Sequence, residues 1–285
     1  MRTTFAPHLG REVRVGGCRV EHLHLRHALA MSHIVGDRTL TVPNRTTFSA
    51  NTSSSFQAML AGTFLNNQLG DCVIAARARR IGVLTGNASS EGAFIYRDDQ
   101  LLHEYRVIGG YIPGKPETDN GCDPTVSADH GVRSGYADGS KDVGWVAVNA
   151  TNWHEVMLAN HVTSGACDLS MALPAEWLNS GGMPQRNGDV WDVAGDPVLE
   201  NGHCVAVVDH DAEKGLLVDT WGLLVWVTPR AVARYGAQRN NGILIAHVNH
   251  DAVGTIAGRA PNGLDWTTLL TYFDHDLKGS AQQDA

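Results

Sequence analysis

Positive charge is in short supply in this chain of 285 residues: 22 Lys and Arg stand against 30 Asp and Glu, a formal net charge of −8. That balance argues against nucleic acid as main partner, because no basic surplus exists to displace the counterions of a phosphate backbone. Long apolar runs are missing too. No stretch reaches the ~18 residues that a membrane helix requires, so no membrane partner is expected. The N-terminal MRTTFAPHLGREVRVGG lacks the apolar core of a signal peptide. Cys18, Cys72, Cys122, Cys167 and Cys204 are odd in number and widely spaced. That pattern excludes a disulfide framework and paired CxxC zinc knuckles, and it fits a reducing, cytosolic site of synthesis. No phosphate-binding glycine motif precedes a helix, so nucleotide use is unsupported and no cofactor is expected.

What is present is ordinary globular composition, 43% hydrophobic and 18% charged. Residues 1–56 alternate polar and apolar types in short runs and end in the polar linker NTSSSF; they read as an N-terminal extension of strands and loops. A main domain is expected over 57–249. Its first helix begins at Cys72 and runs to about Leu84, with Ala75, Ala76, Ala78, Ile81 and Leu84 forming a small-residue face. Further helices are predicted near 91–107 and from about Thr125 to Tyr136, around a Gly- and Pro-dense loop. Beyond Gly139 the texture turns to β: VGWVAVN, ACDLSMALP, GHCVAVVDHD, GLLVDTWG, LLVWVTP and GILIAHV read as strands, with NWHEVMLANHV and PRAVARYG as short helices. Residues 250–285 are a C-terminal extension. Helices first and strands second make an α+β architecture, with a cleft where a helical half meets an antiparallel sheet half.

A cysteine attacks carbonyls as thiolate, which calls for a positive helix N-terminus and a nearby imidazole. Cys72 stands where the first strong helix begins, after the tight turn Gly70–Asp71, so its own N–H would face a developing oxyanion. Asn66 and Gln68 are both available upstream as the second donor. His203 enters an apolar strand behind Gly202, where close backbone or substrate approach is possible. Asp219 follows across one hairpin and is expected beside His203, fixing its tautomer, with Trp221 shielding the pair. Taken singly, Cys72 and His203 fit core residues equally well, Asp219 fits a strand-end turn and Trp221 simple packing.

QLGDCVIAA, followed by NGHCVAVVDHD and GLLVDTWG, resembles the Cys-helix, Gly-His strand and Asn-Ser-Trp-Gly hairpin of the papain superfamily of cysteine peptidases. His203 lies 131 and Asp219 147 residues after Cys72, where papain-type enzymes place their His and Asn about 130–150 residues downstream. More narrowly, the run from about 62 to 248 resembles papain-like proteins of tailed phages and prophages. NNQLGDC, NATNWHEV, GHCVAVV and DTWG occur in the order of their motifs. The resemblance implies a papain-like fold with Cys72 as nucleophile, His203 as base, Asp219 as its orienting group and Asn66 at the oxyanion. Gln68, Gly202 and Trp221 would lie along the substrate. The family's glutamine is replaced by Asn66 and its asparagine by Asp219. Substrates would be peptides or proteins, with virion proteins or self-assembly as further partners, in a virion or host cytoplasm.

Two other readings are open. The extensions are well placed for subunit contacts, which suits a phage particle component that uses the fold as scaffold. Cys18, His22, His24 and His27 lie close together and could hold a metal, although a histidine-rich exposed strand explains them better, and no metal is expected.

Overall fold

In the computed structural model, which describes residues 2–19, 41–88, 92–179 and 181–249, four α-helices precede residue 140 and the large sheet follows it. A short antiparallel hairpin comes first, β1 (Arg2–Ala6) against β2 (Arg11–Val15), with Arg2 opposite Val15. Helices α1 (Ser54–Leu60), α2 (Cys72–Ala88), α3 (Asp98–Glu104) and α4 (Pro124–Arg133) come next.

The helix starts have local causes. Asp123 caps α4 by accepting the N–H of Thr125 and Val126, with Pro124 in the first turn where its missing donor is harmless. Gln100 accepts the Arg97 N–H at 3.0 Å, which sets the start of α3. The helix expected over 91–107 is therefore shorter, and a π-turn over Tyr105–Gly109 extends it. The polar stretch NTSSSF is not wholly a linker: α1 begins inside it at Ser54, and Phe56 is buried.

The sheet is built from β3 (Asp142–Val148), β4 (Cys167–Ala172), β5 (Val190–Trp191), β6 (Gly202–Asp211), β7 (Gly215–Thr220), β8 (Leu223–Val227) and β9 (Ile243–Asn249). Their order is β3-β9-β4-β6-β7-β8-β5, antiparallel except for the short edge strand β5 beside β8. Two further helices, α5 (Trp153–Val162) and α6 (Pro229–Tyr235), start on Asn152 and Thr228 caps. The fold is α+β, with a helical half against a large sheet, as the residue order predicts.

Helix α2 joins the two halves. It packs on β6 and is buried on nearly every face, which needs small residues where neighbours press closest. A Cβ at Gly86 would overlap the Phe56 ring. The same helix buries three arginines, each with an anion. Arg77 meets Glu104 at 2.6 Å, Arg79 meets Asp219 at 2.8 Å, and Arg80 meets Asp168 at 3.4 Å. The last two bonds cross from helix to sheet. Removing one partner of a buried pair leaves a desolvated charge and costs about 3–5 kcal/mol, so these contacts fix where α2 sits.

The N-terminal segment packs into this core. Ala6, Val13, Val15 and Cys18 are buried with it. Residues 250–285 and the histidines at 22, 24 and 27 lie outside the described residues.

Candidate active site

Cys72 is the first residue of α2 and is 1% exposed. The backbone amides of Cys204, then of Val73 and of Cys72 itself, act on its thiol. These amides favour the thiolate, as a helix N-terminus does. Burial outweighs them and pushes the thiol up to about 12. Cys204 directly follows His203, so the tip of α2 meets the start of β6, while no hydrogen bond joins Cys72 to His203 among the described residues.

His203 is the second residue of β6 and is also 1% exposed. Its Nε2 lies 2.8 Å from the Thr220 hydroxyl, while its Nδ1 has no hydrogen-bond partner among the described residues. The Trp221 indole stacks on the ring, with centroids 4.3 Å apart and planes 14° from parallel. Burial and then the Arg79 cation hold His203 down to about 3, so the imidazole is neutral.

The Trp221 position depends on a two-residue hairpin. Thr220 pairs with Leu223, and the loop residues Trp221 and Gly222 have φ of 49° and 80°. A type I′ turn requires positive φ at both sites. Glycine does this freely, and a bulky indole does so at a cost. What the conformation achieves is specific: the indole lies on His203, and the Trp221 carbonyl accepts a bond from His8 Nε2 at 3.0 Å.

Asp219 departs from expectation. Register pairs it with Ala206, three residues along β6 from His203, so its side chain occupies the opposite sheet face. Its carboxylate meets Arg79 and forms no hydrogen bond with His203 among the described residues. Burial raises its pKa to about 7 against the pull of Arg79. Thr220, one residue on, shares the His203 face and takes the orienting position.

Asn66 is buried in the loop before Cys72; its Nδ2 donates to the Leu69 carbonyl at 3.3 Å, and its side chain also reaches Asp71. Gln68 is exposed; its backbone carbonyl accepts from Arg14 Nε at 3.2 Å and its N–H donates to the Leu65 carbonyl at 2.7 Å. The Gly202 carbonyl accepts the N–H of both Gly16 and Cys18 at 3.1 Å. His203 and Trp221 are stacked, Gly202 precedes His203 in β6, and Cys72 meets the same strand at Cys204 with Asn66 in the loop before it, whereas Asp219 turns to Arg79 and the Gln68 side chain is exposed.

No protein-family model and no curated protein matches the sequence. Solved structures do. The chain is similar to xylellain, a cysteine protease from Xylella fastidiosa, at 12% identity and a TM-score of 0.56, over 87% of this chain and 98% of that one. It is similar to digestive procathepsin L2 proteinase from the Tenebrio molitor larval midgut, at 12% identity and a TM-score of 0.52, over 82% and 78%. The proform of Amb a 11, a cysteine protease and major ragweed pollen allergen, matches at 11% identity and a TM-score of 0.51, over 75% and 69%.

The fold is papain-like.

Within this papain-like fold, sequence reasoning missed three groups: Thr220, Arg79 and the segment Gly16–Arg19. Thr220 was legible only through strand parity, which needs the register. The β6–β7 register shifts between Val207 and Asp209, an irregularity that no residue pattern announces. Arg79 had a usable signal: three arginines crowd an otherwise small and apolar helix, while single aspartates punctuate apolar strands. Among the described residues no group of three His, Cys, Asp or Glu side chains could hold a metal, and no helix is long and apolar enough to cross a membrane.

Proposed function

We propose that the protein is a cysteine hydrolase of peptide or other amide bonds. The observation that carries this reading is the Cys72 thiol at the tip of α2, favoured as thiolate by the Cys204 amide next to His203, whose Nδ1 has no partner among the described residues. In the tautomer whose Nε2–H donates to Thr220, the Nδ1 lone pair is the free base. It takes the Cys72 proton as the sulfur attacks the carbonyl, and returns it to the leaving amine. The Cys72 N–H holds the oxyanion, joined by Asn66 once its amide turns from Leu69. Asp219 acts at one remove, by neutralising Arg79 behind the imidazole. Gly202 and Trp221 line the substrate side, with Gln68 at its rim.

A second reading has its own support. Both members of the dyad are buried and neutral in this conformation, as suits a rigid scaffold. The finer assignment, a phage-encoded particle component, rests on the sequence motifs alone.

The test is the rate of Cys72 alkylation by iodoacetamide between pH 6 and 8 in the parent and in His203→Ala. Reaction at least about tenfold faster in the parent supports the hydrolase. Equal, slow reaction in both, with stoichiometric recovery in purified phage particles, supports the scaffold.

A further inference from the structure

Directly after β2 the chain crosses the site as an extended strap, Gly16–Arg19. On the His203 side, the N–H groups of Gly16 and Cys18 both donate to the Gly202 carbonyl at 3.1 Å. On the other side, Cys122 donates to the Gly17 carbonyl and Arg19 donates to the Cys122 carbonyl, each at 2.9 Å. Gly17 lies so close to Gly70, two residues before Cys72, that a Cβ would overlap the Gly70 carbonyl. The Arg19 guanidinium then grips the carbonyls of Gly109, Asn120 and Gly121. The strap thus runs between the loop that carries Cys72 and the strand that carries His203.

The two bonds to Cys122 form a parallel bridge in which Cys18 and Cys122 are direct partners. Both are free thiols and both are buried. Neighbouring strands lie about 4.7–4.9 Å apart, inside the range of about 4.4–6.8 Å between Cα atoms that a disulfide tolerates. Register partners also project to the same face. A bond between these residues therefore calls for side-chain rotation and little backbone movement. The Cys72 thiol stands near both and raises the pKa of each, so it is the bridge register that selects a Cys18–Cys122 bond over one to Cys72.

We propose that Cys18 and Cys122 are a redox latch that fixes the strap over Cys72. A peroxide oxidises one thiol to the sulfenic acid and leaves as water. The second thiol attacks that sulfur, the S–S bond forms, and a second water departs. The sum is two thiols and one hydrogen peroxide giving one disulfide and two waters. A dithiol reductant reverses it. Formation of the bond is independent of the hydrolase reading, whereas its consequence for Cys72 rests on that reading.

Burial raises both thiols well above the usual range, so closure is expected over hours rather than seconds. The fully reduced, full-length protein is exposed to hydrogen peroxide at pH 8, blocked, digested without reduction and mapped by mass spectrometry. A peptide linking Cys18 to Cys122 is expected, lost in Cys18→Ser and in Cys122→Ala. Amide exchange at Cys18 and Arg19 is expected to slow at least about tenfold on oxidation, and Cys72 alkylation to slow with it. Dithiothreitol should restore both. A Cys18–Cys72 link, or no link at all, overturns the latch, and so does a Cys18–Cys122 link that leaves strap exchange unchanged. Slow Cys72 alkylation in the reduced protein, with the link and the exchange change intact, would count against the hydrolase and leave the latch standing.

Discussion

Thr220, and not its neighbour Asp219, holds His203: its hydroxyl lies 2.8 Å from Nε2, while the Asp219 carboxylate is 2.8 Å from Arg79. Two adjacent residues of one strand therefore serve opposite faces of the sheet. The Thr220 bond orients the ring, and the Asp219 bond anchors α2.

Thr220→Val and Asp219→Asn should separate these roles. Thr220→Val is expected to lower the rate of Cys72 alkylation about tenfold, with Thr220→Ser restoring it. Asp219→Asn leaves Arg79 desolvated without its anion and should destabilise the fold by about 3–5 kcal/mol. Urea unfolding of both variants beside the alkylation rates checks the split; equal effects of the two on both readouts would refute it.

The dyad itself is tested by Cys72→Ala and His203→Ala. Both should abolish hydrolysis of a general peptide substrate pool, with losses on the order of 10³-fold or more. Peptide turnover followed by mass spectrometry is the measurement, and a Cys72→Ala variant that still turns over would assign the chemistry elsewhere.

Acid should weaken the fold through His203. Its pKa is about 3 in the folded state against roughly 6.5 unfolded. The unfolded chain therefore binds the extra proton between these values, and stability falls as pH drops from about 6.5 to 3, by up to about 1.4 kcal/mol per pH unit. Asp219 acts the other way: raised to about 7, its contribution is complete below its unfolded value and is lost as pH rises through 7. Comparing the parent with His203→Gln isolates the histidine. Urea midpoints at pH 7, 5.5 and 4.5 should fall more steeply in the parent; parallel curves would contradict the neutral buried imidazole.

The strap makes a steric prediction. Gly17→Ala places a methyl group against the Gly70 carbonyl, an overpacking that costs about 1–3 kcal/mol. Its relief should be local lifting of the strap, seen as faster amide exchange at Cys18 and Arg19. Exchange unchanged from the parent would mean that the Gly70 loop moves instead.

Much of this was legible in residues. The turn Gly70–Asp71 followed by a helix, the Gly202–His203 entry to an apolar strand, and the two-strand hairpin closed by Trp221–Gly222 were all marked by local chemistry, and each element formed where its signals stood. The start of α3 was misjudged because the helical spacing of Phe94 and Ile95 reaches back before the Arg97–Gln100 cap that begins it. Asp219 was misassigned for a different reason: hairpin proximity was read without register, and one residue of shift exchanges the faces of a strand.

The sequence by itself determined the α+β order, the helix that begins at Cys72 and the strand that presents His203, because caps, turns and alternation are local. Only the tertiary structure decided which side chains meet. The β6–β7 register chose Thr220 over Asp219, burial between α2 and the sheet made Cys72 and His203 neutral, and long-range backbone bonds laid Gly16–Arg19 across them. These outcomes depend on desolvation and on contacts between residues far apart in the chain, and neither is a property of any short stretch of sequence.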